Sequence, residues 1–149
     1  MEIEKAMTAV SRTHQSVLTT LRRDGRPQLS NVVHAVDDRG VVRISTTADR
    51  AKHANLRRTP WAALHVNGDS FWSYAVVEAD VTISEVASAP DDATTDELVE
   101  LFRAISGEHD DWEEYRAAMR RQGKSLLRIT PTSWGPIATG GFPPERAPA

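Results

Sequence analysis

Residues 20–60, TLRRDGRPQLSNVVHAVDDRGVVRISTTADRAKHANLRRTP, hold two sharp turns and then a helix whose charges begin at the wrong end. Asp24-Gly25 and Asp37-Asp38-Arg39-Gly40 separate runs rich in β-branched residues, a hairpin signature. Successive hairpins leave sheet edges that must be closed or covered. The basic segment behind them is expected as a helix over 49–58, stopped by Pro60, with Arg50 and Lys52 in its first turn. That turn carries unpaired N–H groups and the positive pole of the helix dipole, so acids are its usual occupants. The hydroxyls of Ser45, Thr46 and Thr47, free N–H groups and two cations together suit an anion, above all a phosphate. Arg57 and Arg58 lie at the other end, where cations are favoured and need no ligand.

The remaining pattern extends this sheet. Strands are expected over 15–22, 26–36, 41–47, 61–66, 72–86 and 124–130. In the fifth, Ala75, Val77, Ala79, Val81 and Ile83 alternate with Val76, Glu78, Asp80 and Thr82, so one face is buried. Helices are expected over 2–12, through Leu98, Leu101, Phe102 and Ile105 to Gly107, and over 111–121. The fold class is therefore mainly β with α: a six-stranded antiparallel barrel, partly closed, with short helices. Residues 1–149 are expected as one domain, with a mobile tail over about 136–149.

Composition narrows the function. A net charge of −3 argues against general nucleic-acid binding, which needs a basic surface. No apolar run spans a bilayer and the N-terminus is too charged for a signal peptide, so no membrane role and a cytoplasmic location are expected. With no cysteine, disulfides, thiolate metal sites and cysteine nucleophiles are excluded. The five histidines, His14, His34, His53, His65 and His109, show no metal-ligand spacing, and there is no GxSxG elbow. Asp110, Asp111, Glu113 and Glu114 complement a helix start. Ser30 and Asn31 are polar inside an apolar run and imply a partner. Trp72-Ser73-Tyr74 follows a polar loop; its rings suit either a flat ligand or a subunit interface.

The segments DGRPQLSNV, a strand ending in STT, and DRAKHANLRR together resemble the split-barrel superfamily of pyridoxamine-phosphate-oxidase-like flavin and deazaflavin proteins. WSYAVVEADVTI and GEHDDWEEYR are most similar to its actinobacterial branch, the coenzyme F420-dependent reductases of the B group. The resemblance runs from about His14 to Gly135. It implies a homodimer of six-stranded split barrels with two equivalent cofactor grooves at the subunit interface. By this resemblance Arg50, Ala51 and Lys52, with Asn55 nearby, hold the cofactor phosphate. Gln28, Ser30 and Asn31 lie along the ring, and Ser45, Thr46 and Thr47 meet the polar chain. Trp72, Ser73 and Tyr74 approach from the partner subunit. The basic and aromatic set for a phosphorylated pyridoxine is not found.

The expected activity is hydride transfer from reduced F420 to a conjugated acceptor such as an enone, an unsaturated lactone or a tetrapyrrole like biliverdin. No catalytic side chain is evident, since the chemistry belongs to the cofactor. The alternatives are an FMN-dependent oxidase or reductase on the same scaffold, and a non-catalytic carrier of F420 or haem.

Overall fold

A computed structural model describes residues 3–139. In chain order the elements are α1 (Ile3–Ser11), β1 (Gln15–Leu21), β2 (Pro27–Val33), β3 (Ala35–Val36), β4 (Val42–Thr47), α2 (Ala51–Arg58), β5 (Trp61–Asn67), β6 (Ser73–Ile83), α3 (Ala93–Ser106), α4 (Trp112–Arg121) and β7 (Lys124–Thr139). Seven strands form one antiparallel sheet in the order β2-β1-β5-β6-β7-β4-β3. Its two edge strands, β2 and β3, are separated in the chain by His34 alone. The sheet must therefore curl until its edges meet, and the backbone rather than a ladder joins them.

That geometry corrects the expected strand count from six to seven. The run 26–36 is broken at His34, whose ring is 0% exposed. Its Nε2 donates to the Val10 carbonyl at 2.9 Å, and the Ser16 hydroxyl lies 2.8 Å from Nδ1. A carbonyl can only accept, so Nε2 carries the proton and Nδ1 accepts from Ser16. The His34 N–H donates to the His14 carbonyl at 2.8 Å. The bonds thus fasten α1, β1 and the β2–β3 corner together.

Burial lowers the His34 pKa from its ordinary 6.5, the Val10 carbonyl opposes this, and His14 lowers it further. His53 is lowered too, by burial and then by Arg57. A histidine with a depressed folded pKa supports stability above the unfolded value and loses that support as pH falls through the folded one. Urea midpoints should therefore drop between pH 7.5 and pH 5.5. A midpoint that stays level across this range would contradict the neutral, enclosed His34.

The closing strand also differs from expectation, running to Thr139 rather than stopping at Thr130. Pro131 suggests a stop, yet it lies opposite Ala79, at a register irregularity between Glu78 and Ala79. A proline is tolerated where the ladder is already interrupted. Residues 136–139 of the expected mobile tail belong to β7, and the rest of that tail lies outside the described residues.

Inside the curl, Leu18, Val42, Ile44, Leu64, Val77 and Leu127 form the core with other small apolar residues. Ala6 and Val10 of α1 and Leu56 of α2 join it. Residues of α1 line a cleft with the β5–β6 turn, whereas α2 connects the far ends of β4 and β5. Outside, α3 and α4 pack Leu98, Leu101 and Met119 on Leu126 of β7. Because Leu126 and Leu127 are buried on opposite faces, β7 reads as an apolar run. Glu97 of α3 pairs with Arg43 of β4 and Arg128 of β7, which holds this helix on the sheet.

Candidate anion and cofactor site

β4 ends at Thr47 and the chain turns directly into α2. The Arg50 N–H donates to the Thr47 carbonyl at 3.0 Å, and the Ala48 N–H donates to the Gly123 carbonyl at 3.2 Å. Arg50 is the N-cap, with extended backbone and no capping side chain. Helix geometry leaves the N–H groups of Ala51 and Lys52 without partners inside α2. Arg50 and Ala51 are exposed and Lys52 is half-buried. Among the described residues, no carboxylate pairs with Arg50 or Lys52. The Lys52 pKa is lowered by burial, then by Arg50, then by Lys124. Two cations raise the cost of the third charge, and among the described residues no carboxylate relieves it.

What holds α2 in place is Asn55, which is buried. Its Nδ2 donates to Thr20 Oγ1 at 3.0 Å and to Gln28 Oε1 at 3.2 Å, while Oδ1 accepts from Arg58 Nη2 at 2.9 Å. Both amide hydrogens are spent, so Asn55 acts as a brace between α2 and the β1–β2 hairpin. Gln28 is part of that brace, and Ser30 lies on the same strand face.

Adjacent strand residues point to opposite faces. Asn31 therefore shares the outer face with Leu29 and Val33, which are 62% and 50% exposed, and not the face of Ser30. The same rule divides the end of β4: Thr46 faces the core, whereas Ser45 and Thr47 lie on the other side. Only part of each triplet can meet one ligand through side chains. Thr46 is paired across the ladder with Ser125, which is wholly buried and whose Oγ lacks a partner, as does His53 Nε2 on α2.

Trp72, Ser73 and Tyr74 lie elsewhere. Ser73 starts β6, and Ile83 at its other end pairs with Leu127, three residues past Lys124. At about 3.3 Å per residue, roughly 30 Å separates the Trp72 end of the strand from the α2 end. The Tyr74 ring stacks on His65 at 5.2 Å, and the exposed Phe71 and Trp72 rings meet edge to face at 4.9 Å. A groove of about 550 Å³ borders His65 and is lined also by Gln15, Val17, Asn31, Val33 and Asn67. Asn31, Val17 and His65 stand abreast across three strands. Sequence reading missed His65 and Lys124, because only strand register places them: Lys124 pairs with Thr47.

The molecule thus presents a cationic end at the α2 start and an aromatic, partly apolar end. Among the described residues no group of three or more histidine or acidic side chains could hold a metal, and no helix is long and apolar enough to cross a membrane.

A family model described as pyridoxamine 5'-phosphate oxidase matches residues 3–138. The chain belongs to that family. The resemblance carried by DGRPQLSNV and DRAKHANLRR is therefore real at family level. Among solved structures, a conserved hypothetical protein from Mycobacterium tuberculosis superposes with a TM-score of 0.66 at 21% identity, over 90% of this chain and 82% of that one. An F420 reductase gives 0.64 at 23% identity, over 86% and 94%. An FMN binding protein from Nostoc punctiforme gives 0.57 at 14%, over 89% and 79%. At such identities these likenesses establish the fold. The proteins that share this fold thus include ones named for two different cofactors, F420 and FMN.

Proposed function

We propose that this protein is a homodimeric oxidoreductase that binds coenzyme F420 and passes a hydride to a conjugated acceptor such as an enone, an unsaturated lactone or a tetrapyrrole like biliverdin. The observation that carries the reading is the start of α2, where Arg50 and Lys52 have no carboxylate partner among the described residues and stand beside N–H groups that the helix leaves open. Such a start fits a phosphate group, which flavin-type cofactors carry. The family membership fits a flavin-type cofactor, the F420 reductase neighbour supports a deazaflavin, and the sequence segments WSYAVVEADVTI and GEHDDWEEYR favour it over FMN.

The same geometry supports the dimeric part of this reading. The anion-holding end and the Trp72-Ser73-Tyr74 end lie at opposite ends of β6, too far apart for one ligand to touch both in one chain. A second copy brings its aromatic end to the first copy's α2, and the exposed Leu29 and Val33 offer an apolar face for it.

In this reading Lys52 and Arg50 hold the phosphate, Gln28 and Asn55 fix α2, and the partner's aromatic end orients the ring system. The bound cofactor supplies the hydride, and the protein supplies position and electrostatics. His34 is not placed to protonate an acceptor, since burial and its bonds to Ser16 and Val10 occupy the ring. The test is turnover: reduced F420 should be oxidised faster with an unsaturated acceptor and this protein than with either alone. Tight F420 binding without turnover on any enone, lactone or tetrapyrrole would instead make it a carrier.

A further inference from the structure

We infer that Lys124 is a third anion-binding residue at the start of α2, and that the ligand held there carries at least two negative charges. The inference rests on reading the α2 start as the phosphate site. Three features of the fold bring Lys124 to it. Antiparallel pairing sets Lys124 opposite Thr47, the residue from which the chain turns into α2. Side chains so paired lie on one face with Cβ atoms about 5 Å apart. The bond from the Ala48 N–H to the Gly123 carbonyl then folds the β4–α2 turn over the first residue of β7. Gly123 adopts φ 65°, a left-handed conformation that lets α4 end and β7 begin within two residues.

The charge pattern points to a ligand rather than to a surface. Several cations find carboxylates: Arg43 and Arg128 on Glu97, Arg103 on Glu100 and Glu108, Arg116 on Asp96, Arg121 on Glu114. Others among the described residues, such as Arg12, Arg23, Arg39 and Arg57, do not, so it is the gathering of three cations at one place that marks the α2 start. Among the described residues Arg50, Lys52 and Lys124 have no such partner, although they are close enough that Arg50 and Lys124 both depress Lys52. Three like charges held together oppose one another until a counter-charge arrives. A single negative charge offsets only one of them. A phosphate with a second ionised oxygen, or with another acidic group beside it, offsets more, and charge-assisted bonds to it are the strong kind.

The experiment is calorimetric titration with inorganic pyrophosphate at low salt, on the full chain and on Lys124→Gln, Lys124→Arg and Arg57→Gln. The unmodified protein should bind pyrophosphate, and Lys124→Gln should weaken binding by about tenfold. Lys124→Arg, which keeps the charge if Gln perturbs the strand, should restore most of it, and Arg57→Gln should change it by less than about twofold. Equal affinities for the unmodified protein and Lys124→Gln, or no pyrophosphate binding at all, would overturn the inference. Titrating the same proteins with F420 separates this claim from the one beneath it. Pyrophosphate binding that depends on Lys124, without F420 binding, keeps the anion site and removes the deazaflavin. F420 binding that Lys124→Gln leaves intact keeps the deazaflavin and removes Lys124.

Discussion

Lys52→Ala should weaken F420 binding on the order of 10- to 100-fold while leaving the fold as stable as before. The affinity loss follows from removing one charge-assisted contact to phosphate, worth about 1.5–3 kcal/mol. The stability should stay within about 0.5 kcal/mol, because among the described residues Lys52 has no ion-pair partner to lose and two cations that oppose it. Calorimetric titration and urea denaturation on the same preparation would check both halves. Arg57→Ala serves as the control, since its place at the C-terminal end of α2 explains its charge without a ligand. Equal losses at Lys52 and Arg57 would show a diffuse electrostatic surface rather than a built site.

Asn55→Ala should do the reverse, acting first on stability. It removes both donors that reach Thr20 and Gln28 and the acceptor for Arg58, of which the bond to Thr20 is buried and the other two partly so. Thr20 is 1% exposed, so its hydroxyl would lose a partner that water cannot replace. Leaving buried polar groups unpaired costs about 1–3 kcal/mol each. Urea denaturation should show this loss directly. F420 affinity should fall as well, because the brace that sets α2 against the β1–β2 hairpin is gone. A variant as stable as the parent, with affinity alone reduced, would make Asn55 a ligand contact and not a brace.

These two residues also show what the sequence can carry. The misplaced cations Arg50 and Lys52 were legible because a helix start has a known polarity and they oppose it. Asn55 was legible as a member of the same segment, but not as a brace. Its partners Thr20 and Gln28 come from β1 and β2, and only the folded register brings them within 3.2 Å. Most strands showed their alternation, and the basic helix its bounds to within two residues. The break at His34 did not show, since a buried polar ring in an apolar run looks like one strand with a single exception. The length of β7 was hidden by Pro131, which punctuates a sequence but rests here at an interrupted ladder position. Lys124 gave no signal at all: an exposed-looking lysine after Gly123 becomes part of a cationic cluster only through its pairing with Thr47.

The central claim is that the α2 start holds a deazaflavin. Parallel fluorescence titrations of the purified protein with F420 and with FMN, at one pH and one low salt concentration, test it most directly. Saturable F420 binding, tighter than FMN by at least about tenfold, is the predicted result. Tighter binding of FMN would contradict the deazaflavin assignment and leave a flavin-dependent protein of the same family.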